Sequence, residues 1–163
     1  MANFSCKMFM LVIVWTCHYR KTGGENMENS IRVFPPYFPE GCPPTEASGE
    51  EIVLFRLCKE ITPSAEDFLT FYQINPQRYA GLIQAYGLSM FPSAEDCERA
   101  KRKSPRLRDS HKGIACGRVD AGKGKILRTP SGPNPAHITW WIYEGVEPHT
   151  FFTAYGKGGV ESE

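Results

Sequence analysis

The stretch HITWWIY, residues 137–143, decides how the chain is read. Its β-branched and aromatic residues favour a strand. Side chains alternate along a strand, so Ile138, Trp140 and Ile142 share one face, and His137, Thr139, Trp141 and Tyr143 share the other. The first set is apolar throughout and is expected in the core. The second is amphipathic and is expected to line a groove, with Trp141 and Tyr143 open to a ligand.

Outward from that strand, EIVLFRLC at 51–58 reads as another. There Arg56 shares a face with Ile52, Leu54 and Cys58 and is expected to pair with a carboxylate or reach solvent. Residues 86–91, YGLSMF, read as a short buried strand. GIACGRV at 113–119 and the segment Lys125–Thr129 read as a hairpin about the turn 120–124. The pentapeptide PSAED occurs at 63–67 and again at 92–96. In each copy a serine can cap free amides, and an aspartate follows three residues later, which predicts helices over 64–74 and 93–103. The first carries a core face of Ala65, Phe68, Leu69 and Tyr72; the second buries only Ala94, Cys97 and Ala100 and turns a basic side to water. Five prolines between 34 and 49 make that segment an extended lead-in whose aromatics pack on the domain surface.

Strand, helix, strand, helix and then several strands give an α+β domain with a mainly antiparallel sheet and two or three short helices. Of the 163 residues, 41% are apolar and 23% charged, an ordinary globular balance that argues against disorder. Residues 30–155 are read as one domain, 1–29 as an N-terminal extension and 156–163 as a flexible tail. The apolar run at 8–17 has ten residues, half of what a membrane span needs. Three readings of the extension are open: sequence upstream of a start at Met27, an extra docked element, or an anchor or signal.

The six cysteines show no C-x-x-C pair and no zinc-ligand spacing. They read as reduced, packed thiols of a cytoplasmic chain. No spacing specifies a metal and no cofactor is implied.

The net charge of +1 hides an asymmetry. Residues 99–128 hold eleven Lys/Arg and two acids, a net of +9; the rest of the chain nets −8. Such a block points to an anionic partner, nucleic acid or an acidic protein, held by Lys101, Arg102, Lys103, Arg106, Arg108, Lys123 and Lys125. The window has no Phe, Trp or Tyr on which a base could stack.

For chemistry, His137 and Thr139 project to one side of a strand, where an imidazole can move a proton while a hydroxyl orients a phosphate oxygen. This H-x-T spacing resembles the motif of the two-histidine phosphoesterases. That family carries two such motifs; here His111 precedes Lys112 and Gly113 and makes no second one. Arg56, Ser89 and a late acid, Glu144 or Glu147, resemble the arginine-serine-glutamate order of ADP-ribosyltransferases. That resemblance implies a pyrophosphate-holding Arg56, a pocket-shaping Ser89 and a charge-stabilising glutamate.

Finally, LFR at 54–56, P-x-x-x-D-F at 63–68, GLSMF at 87–91, H-x-T-W-W at 137–141 and YEGVEP at 143–148 together resemble a set of small bacterial proteins without an assigned activity. The resemblance implies a discrete domain and no function. Three classes therefore stand: a non-catalytic module binding an anion through 99–128; an enzyme acting on a nucleotide or RNA phosphate through His137, Thr139, Arg56 and Glu144; and a toxin or immunity protein of a mobile element.

Overall fold

The computed structural model describes residues 32–156, so the readings of 1–29 and of the tail beyond 156 lie outside the described residues. The fold is α+β, built on two three-stranded antiparallel sheets. Strands β1 (Ile52–Cys58), β3 (Gly113–Val119) and β6 (Thr153–Ala154) form one, in the order β1-β3-β6. Strands β2 (Leu88–Met90), β5 (Ile138–Ile142) and β4 (Gly124–Arg128) form the other, in the order β2-β5-β4. One bridge joins them: the backbones of Phe55 and Phe91 exchange two hydrogen bonds of 2.8 Å.

The expected hairpin of 113–119 with 125–129 does not form. β3 pairs with β1 in the register Arg56 opposite Ala115, while β4 crosses to the other sheet and pairs with β5. The turn 120–124 is therefore a transfer between sheets. The backbone N–H of Gly122 donates to the Asp120 carboxylate at 2.7 Å, and Lys123 forms an ion pair with the same carboxylate.

The principal core lies between the sheets. Leu54, Ala115 and Val119 from one meet Leu88, Met90, Ile126, Ile138 and Trp140 from the other, with Phe68 and Phe152 closing the layer. The even positions of β5 thus face inward, as their apolar character requires. Its odd positions are also covered. Trp141 is fully buried on the outer face of the second sheet among Phe34, Phe38, Ala47, Tyr72, Ile83 and Tyr86. The proline-rich lead-in is the lid of this second cluster, and Tyr143 packs against Phe34 with ring centroids 4.6 Å apart. Residues 141 and 143 are thus packing residues, and that face is open only at its His137 end.

Helices follow local capping. Among the described residues there are four: α1 (Phe71–Ile74), α2 (Pro76–Tyr79), α3 (Ala94–Lys103) and α4 (Pro105–Ser110). Ser93 starts α3 by accepting from the Asp96 N–H at 3.1 Å. Ser104 and then Pro105 start α4, with the Ser104 hydroxyl accepting from Leu107 N–H at 3.4 Å. The single helix expected over 64–74 is instead a short 3-10 turn, Ala65–Phe68, a break, and α1. Thr70 forms a new capping box with Gln73 at the break, so Leu69 swings out to 40% exposure rather than joining the core. α3 buries Cys97 and Ala100 and packs them on Leu57, Phe91 and Ile114. Among the described residues no helix is long and apolar enough to cross a membrane, and Cys42, Cys58 and Cys97 are free thiols.

Candidate functional site

A cleft of about 760 Å³ opens beside the joint of the two sheets. β1 contributes Arg56 and Leu57, β2 contributes Ser89, and the end of β4 and start of β5 contribute Thr129 and His137. α4 contributes Leu107, and His111 follows at its C-cap. The mouth is apolar: Leu69, Phe71, Ile74 and Leu82 all line it and are 40–61% exposed.

Arg56 is the centre of this cleft. It stands between Leu54 and Cys58 on the core side of β1. It forms no ion pair among the described residues. Its Nη1 donates to the Ser89 carbonyl at 2.8 Å, its Nε to the Asp67 carbonyl, and its Nη2 to the Leu69 carbonyl at 3.5 Å. The nearby Asp67 carboxylate is occupied elsewhere, accepting from Lys59 N–H and Ser64 N–H, each at 2.9 Å, and from the Ser64 hydroxyl at 3.2 Å. The expected carboxylate partner is thus replaced by three backbone carbonyls. A guanidinium carries five N–H donors, so two remain for a ligand. Burial lowers its pKa to about 10, with the Cys58, Asp67 and Cys97 groups pulling the other way; it stays cationic at neutral pH.

His137 is held from behind. Its Nδ1 lies 3.2 Å from the Thr129 carbonyl and 2.9 Å from the Thr129 hydroxyl. A carbonyl only accepts, so the network places the proton on Nδ1 and leaves Nε2 as a lone pair without a partner among the described residues. The Thr129 hydroxyl also bonds the Thr139 hydroxyl at 2.7 Å. Thr139 is therefore a buried brace behind the histidine, 1% exposed, and not a residue of the cleft wall. Gly87 permits that packing: a Cβ there would sit 2.4 Å from Thr139 Cγ2.

His111 joins the same cleft although no motif announced it. The Ser110 hydroxyl donates to the Arg106 carbonyl at 2.6 Å and so accepts from His111 Nδ1 at 2.8 Å. Burial lowers the pKa of both histidines, and the charge of Arg56 adds to it in each case. Between the lowered folded pKa and the ordinary 6.5, the unfolded chain binds more protons than the folded one. Stability is thus expected to fall as pH drops through that window and to level off above it. Melting temperature followed from pH 7.5 to 5.5 checks this, and the slope should shrink in His111→Gln/His137→Gln.

The other expected site residues lie elsewhere. Glu144 is exposed, and its N–H donates to the Val33 carbonyl at 2.9 Å; neither it nor Glu147 lines the cleft. The arginine-serine-glutamate arrangement is therefore not assembled, although Arg56 and Ser89 do meet. Much of the cationic block is tied up in ion pairs. Lys101 pairs with Glu98 at 3.6 Å, Arg108 with Asp109 at 3.4 Å and Lys112 with Glu60 at 3.0 Å. Lys123 and Lys125 ride on or beside β4, in the other sheet from β3. Arg102, Lys103 and Arg106 are exposed on α3 and α4 with no ion pair among the described residues. α4 links this remnant to the cleft, because its Leu107 lines one wall.

Comparison with protein families, with curated proteins and with solved structures gives no match, so the site rests on its own geometry.

Proposed function

We propose that this chain binds a phosphate ester of nucleotide class in the Arg56 cleft, with His137 placed to exchange a proton with it. The observation that carries this reading is Arg56: a half-buried guanidinium on a cleft wall, held by carbonyls, without a carboxylate and with two donors to spare. A bidentate anion is the ligand such a group fits. The size of the cleft, about 760 Å³, is that of a pocket for a small organic molecule. Its apolar mouth, with Phe71 and Tyr79 at 5.5 Å between ring centroids, supplies a surface for a flat base. The lone pair at His137 Nε2 supplies a proton acceptor. The exposed Arg102, Lys103 and Arg106 favour anion encounter through their field rather than by contact.

Calorimetric titration with the ribonucleoside 5′-monophosphates tests the proposal, with the nucleosides and inorganic phosphate as controls. At least one monophosphate should bind at least about tenfold more tightly than either of its parts. Ile74→Glu at the exposed lip should weaken that binding, whereas charge reversal at Arg102, Lys103 and Arg106 should slow association with little effect on dissociation. Absence of binding by all four, or loss of binding only in the charge-reversed variant, overturns the reading in favour of the basic surface.

A further inference from the structure

Resting on the phosphate-ester reading above, we infer that the ligand is a phosphate monoester bound as its dianion, and that His137 and His111 take up protons when it binds.

The argument is one of charge around the cleft. Every charged group that faces it can be named. Arg56 comes from β1, and Asp67 from the 3-10 turn packed beside it. Lys59 and Glu66 form a rim pair at 4.0 Å. Lys101 on α3 acts on His111 through its charge and is paired with Glu98 at 3.6 Å. His111 and His137 complete the set. The rim pair and the α3 pair each cancel. Asp67 offsets Arg56, although it makes no side-chain hydrogen bond to the guanidinium. The empty cleft is thus close to neutral.

A carboxylate or phosphodiester brings one negative charge and would need only one of the two imidazoles protonated to balance it. A monoester near neutral pH brings close to two, since its second pKa is about 6. Balancing both needs cations that the walls hold only in latent form. Two half-buried imidazoles, both neutral while the cleft is empty, are the groups that can supply them. Each is anchored through Nδ1, His137 to Thr129 and His111 to Ser110, so protonation at Nε2 needs no rearrangement of either ring. The rest of the polar lining, Ser89, Thr129, Ser131 and Asn134 among it, is neutral. A dianion beside each ring reverses the effect of Arg56 and favours the charged form.

Titration of the full chain with adenosine 5′-monophosphate, or whichever ribonucleoside 5′-monophosphate binds most tightly, tests this. It is run at pH 7.5 in buffers of different ionisation enthalpy. The binding heat should vary with the buffer and report uptake of about one to two protons. Affinity should weaken about tenfold per pH unit for each proton taken up. The matching nucleoside 5′-sulfate, a monoanion of the same shape, should bind more weakly and take up fewer. His137→Gln should cut the uptake by about half. Heat that does not depend on buffer, with binding intact, overturns the proton linkage while leaving the phosphate-ester reading standing. Equal affinity and uptake for the sulfate overturns the dianion assignment. No binding by any monophosphate removes the underlying reading and this one with it.

Discussion

Trp141→Ala is expected to cost about 4–5 kcal/mol and to unfold much of the population at 37 °C. Truncating a fully buried tryptophan costs about 3–5 kcal/mol through lost transfer energy and the cavity left behind. Trp141 is 0% exposed and sits at the centre of the cluster closed by Phe34, Phe38 and Tyr86. Its Nε1 donates to the Ile83 carbonyl at 3.1 Å, a bond whose loss adds about 1 kcal/mol. Domains of this size are stable by only about 5–15 kcal/mol, so one substitution takes a large share. The cavity opens beside the proline-rich lead-in, which should then detach. Chemical denaturation and near-ultraviolet circular dichroism measure both effects. Trp141→Phe should cost less, since the ring refills part of the space. A Trp141→Ala protein of nearly unchanged stability that had lost ligand binding would return the residue to a groove.

Replacing Arg56 has the largest expected effect on the site. Arg56→Met keeps much of the side-chain volume but deprives the Asp67, Leu69 and Ser89 carbonyls of their donor. A buried acceptor left without a partner costs about 1–3 kcal/mol, and Leu69 can turn to water, so a net loss of about 2–4 kcal/mol is expected. The opposing gain, removing a partly desolvated cation, keeps the figure below a sum of three bonds. Binding of the phosphate ester should fall at least about 100-fold, since a charge-assisted bidentate contact is lost. Arg56→Lys separates the roles. It keeps the charge, and so retains part of the affinity, but its ammonium cannot span three carbonyls in a plane. Stability of Arg56→Lys should therefore resemble that of Arg56→Met more closely than its affinity does. If both variants are as stable as the parent, the three-carbonyl cradle is not what holds the joint of the sheets.

Ser64 and Ser93 show how far capping chemistry carries. The same pentapeptide opens both segments, yet one becomes a four-residue 3-10 turn and the other the ten-residue α3. In the first copy Asp67 also accepts from Lys59 N–H, and Phe68 must enter the core. Those long-range demands end the turn before a helix can propagate. In the second copy Asp96 bonds Ser93 and Arg99 within one turn, and the helix runs on. Likewise, the pair Trp140 and Trp141 was placed on opposite faces by alternation alone. That both faces are dry follows from the lead-in folding over one of them.

What the sequence by itself determined were the features set within about four residues: the β5 strand and its two faces, the capping serines, the turn at 120–124 and hence the α+β class. Only the tertiary structure decided which sheet each strand joins, and that Lys112 and Arg118 of the cationic block pair with the distant Glu60 and Glu51. It also decided that Arg56, His111 and His137, separated by 55 and 26 positions in the chain, share one cleft. Alternation and capping are local and written in neighbouring side chains. A site's charge depends on which distant side chains burial brings together, and no spacing along the chain encodes that.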